Sequence, residues 1–193
     1  MGGRWRVSLV MIVLGSFLGG CIGAAPEDGP QGDGPLETGL PVQSPYVVSA
    51  GSEVGWGLVT LRSPDERAFT ITNARAIANP PDAALAPAYA LEWPRDIGAI
   101  QWSGWPPTDA DLGGTPTPLP ATVPAADSDG PGSTEVFVGV RSQDPWVHVT
   151  GIEIEYTDGK EHWTDVVPHD LLICSKVSMA RCERLQVEMS SGR

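Results

Sequence analysis

The side chains of this 193-residue chain best suited to hold a metal or to do nucleophilic chemistry are three histidines, four methionines and three cysteines. His162, His169, Met179 and Met189 are borderline or soft ligands of the kind that take copper or zinc. A metal carrier using His162, His169 and Met179 is therefore one reading, although these residues do not recur at a ligand spacing. A hydrolase needs a base beside its nucleophile, and the chain has no Gly-x-Ser-x-Gly elbow to present a serine. In HWTDVVPHD, strand geometry sends His162 and Asp165 to opposite faces, so one site does not use both. His148 and His162 alternate with apolar residues and His169 follows Pro168, which places all three at a surface or an edge. Asp127-Ser128-Asp129-Gly130 has Ala125 where a calcium loop needs an acid and Val136 where it needs the closing glutamate, so it reads as a turn. Trp93, Trp102 and Trp105 lie around a long Pro- and Gly-rich stretch. Such rings stack on sugars or anchor protein partners, and they equally serve to cover the edges of a fold.

The elements that would position these residues are strands. Glu53 to Leu61 alternates Val54, Trp56 and Leu58, while Ala68 to Ile77 alternates Phe69 and Ile71 against Thr70 and Thr72. Thr134 to Arg141 aligns Val136, Val138 and Val140, the pattern of a strand with one buried side. From Trp146 the parity slips at Thr150-Gly151, because Val147 and Val149 fall on one phase and Ile152, Ile154 and Tyr156 on the other. A bulge at Gly151 returns all five to one face. Asp158-Gly159 marks a two-residue type I′ hairpin. LLIC at 171–174 reads as a separate last strand. Two long insertions separate the strands: 79–95, with a helical turn near 82–85, and 103–133. Seven or eight short strands with turns between them predict an all-β fold, an antiparallel two-sheet sandwich of immunoglobulin-like type.

The front of the chain carries a different signal. Arg4 and Arg6, without acids, precede the apolar run Val7 to Leu18, which falls short of the roughly 20 residues that span a bilayer. The run closes on LGSFLGGC. Leu18-Gly19-Gly20-Cys21 resembles the lipobox of bacterial lipoproteins, cut by the lipoprotein-specific signal peptidase. That resemblance implies a signal peptide over 1–20, a lipidated Cys21 at the new amino terminus, and a place on the extracytoplasmic face of a bacterial cell membrane. At about 0.8 kcal/mol per buried CH₂, two or three acyl chains hold a small domain on a bilayer. The stretches GWGLVTLRSPDERAFTITNARAI and VTGIEIEYTDGKEHWTDVVPHDLLIC are similar to ectodomains of uncharacterised actinobacterial secreted and lipid-anchored proteins, a likeness that implies no activity.

Outside the cytoplasm, Cys174 and Cys182 are an even pair able to form a disulfide. Residues 21–44, rich in Gly, Pro and acids, are expected to stay a disordered tether. Residues 45–184 form the sandwich and 185–193 a flexible tail. The chain carries 12 basic against 24 acidic side chains, for a formal net charge of −12. Removal of Arg4 and Arg6 makes it two charges more negative, so nucleic acid is not an expected partner. The expected partners are the membrane, through Cys21, and an envelope protein or glycan. The sequence leads to a non-enzymatic binding or envelope-structural module without a cofactor; a metal carrier and an envelope hydrolase with its site in the 103–133 loop are the alternatives.

Overall fold

A computed structural model of the protein describes residues 34–39, 43–92, 100–126 and 133–191. The leader, Cys21 and Trp93 lie outside the described residues. The elements, in chain order, are β1 (Glu37–Thr38), β2 (Gln43–Val48), β3 (Glu53–Arg62), β4 (Phe69–Asn79), β5 (Ala84–Glu92), β6 (Ile100–Ser103), α1 (Asp109–Leu112), β7 (Thr117–Pro118), β8 (Ala121–Val123), β9 (Ser133–Arg141), β10 (Trp146–Thr157), β11 (His162–Ser175) and α2 (Met179–Ser191). The strands form two packed sheets, an all-β sandwich. One runs β1-β3-β9-β5-β7 with β6 also on β3, and the other β2-β11-β10-β4-β8. Every pairing is antiparallel except β2 against β11.

The core lies between the sheets. Val54, Trp56, Val59 and Leu61 of β3 and Val136, Val138 and Val140 of β9 face Phe69 and Ile71 of β4, Ile152, Ile154 and Tyr156 of β10, and Leu171 and Ile173 of β11. Each large side chain so buried contributes roughly 1.5–3 kcal/mol. The bulge read at Gly151 is present, with the β10 register shifting between Val149 and Gly151. A second shift occurs in β3 between Gly57 and Val59, and burial passes from Val54 and Trp56 to Val59 and Leu61. The β10–β11 hairpin closes at Thr157 and His162 with four residues between, not two. Gly159 alone in this turn has positive φ (88°), and the Asp158 carboxylate accepts from the Lys160 and Glu161 amides at 2.9 and 3.0 Å.

Several boundaries differ from those expected. Residues 171–174 continue β11 and are not a separate strand. The first insertion holds a 3-10 turn over Pro81–Ala83 and then β5, paired with β9, because its alanines fit a closely packed strand. The second holds α1, β7 and β8, with Leu112 buried. Strand β9 is buried on both faces, since Phe137 and Glu135 on its outer side are covered as well.

Both ends of the domain also depart from the expected tether and tail. Leu36 is buried in the core, β1 pairs with β3 at Arg62 and Leu61, and β2 begins at Gln43, so the fold starts inside the stretch expected to be a tether. Residues 185–191 belong to α2, not to a flexible tail. Cys182, Leu185 and Met189, at spacings of three and four, lie on one helical face against Leu172, Cys174, Val47 and Trp146. The Cys174–Cys182 disulfide fixes that helix to β11.

Candidate functional site

The outer face of the β3–β9 pair carries an aromatic cluster. Gly55 and Gly139 sit directly opposite one another in adjacent strands. A methyl group on Gly55 would stand 2.2 Å from the Trp102 ring, and one on Gly139 would stand 2.4 Å from Trp105. Only glycine lets an indole lie against the backbone in this way. The two indoles are nearly parallel (16°) with centroids 6.2 Å apart, and Tyr89 meets Trp105 edge-on at 5.4 Å while Phe137 meets Trp102 at 5.7 Å. Leu112 of α1 and Leu91 of β5 complete this second small core. The indole N–H groups of both tryptophans are buried without an acceptor among the described residues, so packing rather than hydrogen bonding holds them. Trp102 is 8% exposed, and its contacts are those of a ring covering the outer face of a sheet.

The expected histidine chemistry is distributed differently. His162 is exposed at the hairpin end, while His169 is buried further along the same strand. Seven residues of strand separate them by roughly 23 Å. Met179 begins α2, beyond the far end of β11. The structure therefore does not bring His162, His169 and Met179 together, and among the described residues no three His, Cys, Asp or Glu side chains gather closely enough to hold a metal. His148 and His169 are not surface residues as their neighbours implied. His148 lies on the outer side of β10, where its Nε2 meets the Asp170 carboxylate at 2.7 Å, and Gln186 of α2 donates to the Asp170 carbonyl at 2.7 Å. Helix α2 shields what the alternation of β10 alone would leave exposed.

A second buried polar group was not legible in the sequence. Asp165, on the inner face of β11, accepts from the Tyr156 hydroxyl at 2.7 Å and from the Gly34 amide at 3.3 Å. The Leu36 amide donates to the Tyr156 oxygen at 3.4 Å. Burial first, and then the bond to Asp165, push the Tyr156 phenol above its ordinary value. Gly34 is required here, since a Cβ would stand 1.8 Å from the Tyr156 hydroxyl. Tyr156 and Asp165 thus close one end of the sandwich with the first described residues of the chain. The carboxylate and phenol face the Gly34–Leu36 segment and the core.

No known family model matches the chain, and no curated protein matches it. The residues alone must carry the functional reading. Among the described residues no helix is long and apolar enough to cross a membrane.

Proposed function

We propose that the protein is a lipid-anchored, extracytoplasmic binding or envelope-structural module, non-enzymatic and held to a bacterial membrane through Cys21. The observation that carries this reading is the run Leu18-Gly19-Gly20-Cys21 directly after a basic start and an apolar stretch. The Cys174–Cys182 disulfide fits an oxidising compartment, and the acidic composition fits a surface that stays soluble beside the bilayer. The burial of Asp165, Tyr156, His148 and Asp170 within structural hydrogen bonds favours a scaffold for recognition over a reaction centre.

The test is production in a bacterial host with the native leader, followed by mass spectrometry of the amino terminus and detergent phase partition. The expected product begins at Cys21, carries acyl mass and enters the detergent phase, whereas Cys21→Ser stays aqueous. An intact Met1, or an unmodified thiol at Cys21, overturns the reading.

A further inference from the structure

The bond that fixes α2 lies out of reach of any reagent in solution. Cys174 and Cys182 are both 0% exposed. Leu185 and Met189 of α2, Val177 before it, Val47 of β2 and Trp146 of β10 pack around these two cysteines and Leu172. The Cys182 sulfur also stands 3.5 Å from the Tyr46 carbonyl oxygen and 3.7 Å from that of Leu172. Thiol–disulfide exchange requires an external sulfur to attack one of the two cysteine sulfurs. With α2 docked there is no approach for it, so the bond neither forms nor breaks in the closed domain.

The two cysteines are held differently. Cys174 sits in the β11 ladder, opposite Trp146 of β10 and Val47 of β2. That strand stays fixed to its last residue, because Ser175 donates its amide to the Pro145 carbonyl and its hydroxyl to that of Gln143. Cys182 lies beyond a turn at Lys176, whose φ of 57° falls in the left-handed region that a lysine rarely adopts. Of the described side chains of α2, Cys182 alone is fully buried, while Leu185, Gln186 and Met189 are half-buried and the others exposed. Beyond the disulfide and that thin apolar face, Gln186 ties helix to sheet by donating to the Asp170 carbonyl at 2.7 Å. A helix of 13 residues has little stability of its own in water.

We propose that α2 is an oxidative latch, closed by a disulfide-bearing oxidant that acts on a state in which the sheets are formed and the helix is open. In that state one cysteine thiolate attacks the oxidant's disulfide, whose S–S bond breaks to leave a mixed disulfide and one oxidant thiolate. The second cysteine thiolate attacks the chain's sulfur in the mixed disulfide and the Cys174–Cys182 bond forms. The oxidant leaves as a dithiol, having gained two electrons and taken up the two cysteine protons. Because the cysteines are eight residues apart in sequence, their sulfurs stay near one another with the helix open. Docking of α2 then seals the bond against later reductants. Placing the oxidant outside the cytoplasm rests on the proposed localisation, whereas the order of events does not and is tested on the isolated protein.

The test uses the full chain with Cys21→Ser, which leaves Cys174 and Cys182 as its two thiols. Reduced in urea and refolded without oxidant, it is expected to show the near-ultraviolet signal of packed tryptophans while both thiols react with a chromogenic aromatic disulfide and α2 amides exchange quickly. After oxidation with glutathione disulfide, α2 amides gain protection, and dithiothreitol cuts the bond about a hundredfold more slowly than it does in urea. Leu185→Ala loosens docking and leaves both sulfurs in place, so it should speed that reduction about tenfold without changing the unfolding of the sheets. Thiols of the refolded reduced chain that react only on global unfolding, sheets that fail to form without the bond, or a native bond cut at the same rate with and without Leu185→Ala each overturns the proposal.

Discussion

The Tyr156 hydroxyl donates to the Asp165 carboxylate at 2.7 Å across the β10–β11 pair, and the amides of Gly34 and Leu36 close over the two. This cluster joins the first described residues to the core. Tyr156→Phe removes a buried hydrogen bond to a carboxylate, for which the expected loss is about 2 kcal/mol. For a domain of this size that lowers Tm by several degrees, as calorimetry would register. Gly34→Ala should do comparable harm, because its Cβ has no room beside the phenol oxygen.

The same phenol gives a pH dependence. Its folded-state pKa lies above the ordinary 10.0, so the neutral form is the one that folding favours. The corresponding stability is fully present below pH 10 and is lost as the pH rises beyond it. Melting curves from pH 8 to 11 should show wild type losing stability at the alkaline end more steeply than Tyr156→Phe. Parallel curves would contradict the assignment.

The glycine shelf makes a sharper test of packing. Gly55→Ala and Gly139→Ala ordinarily favour a strand, yet here each methyl would meet an indole well inside contact distance. Overpacking of this kind costs about 1–3 kcal/mol, so both variants should melt lower than wild type, with a change in tryptophan fluorescence. Adding Trp102→Leu should recover part of the loss in Gly55→Ala and none of it in Gly139→Ala.

Much of the sandwich is written in period-two patterns, and less of the rest. The bulge at Gly151 shows in the sequence because apolar residues change parity around a glycine. The shift between Gly57 and Val59 does not, because GLVTL is apolar on both phases there. Strand β5, with its alanines and Pro87, resembles a loop until β9 is seen to pair with it. A two-residue strand such as β1 has no period to read. Gly55, Gly57 and Gly139, each inside a strand, were the available sign that rings lie on that face. Helix α2 also left a trace: Cys182, Leu185 and Met189 are spaced for one helical face, though charged residues between them make the stripe thin.

His148 and Asp170 hold the outer face of β10 to β11 beneath α2. His148→Ala removes that bond from a site where both side chains are about nine-tenths buried, so the expected cost is about 2 kcal/mol. Urea unfolding should show a lower midpoint with an unchanged slope, since the same surface is exposed on unfolding. Protection of α2 amides against hydrogen exchange should fall along with it.

The disulfide determines whether α2 remains part of the domain. It links residues eight apart, and chain-entropy reasoning for so short a loop gives roughly 2.5 kcal/mol. Both cysteines are fully buried, so reductant acts slowly on the folded protein and the paired substitution is the cleaner test. In Cys174→Ser with Cys182→Ser, two hydroxyls replace sulfur in an apolar contact with Leu172, Leu185 and Met189, which adds to the lost cross-link. The helix should detach before the sheets unfold. Circular dichroism should show the helical signal falling at lower temperature than the near-ultraviolet signal of the tryptophans. A single coincident transition at the wild-type temperature would mean that packing alone, without the bond, secures α2.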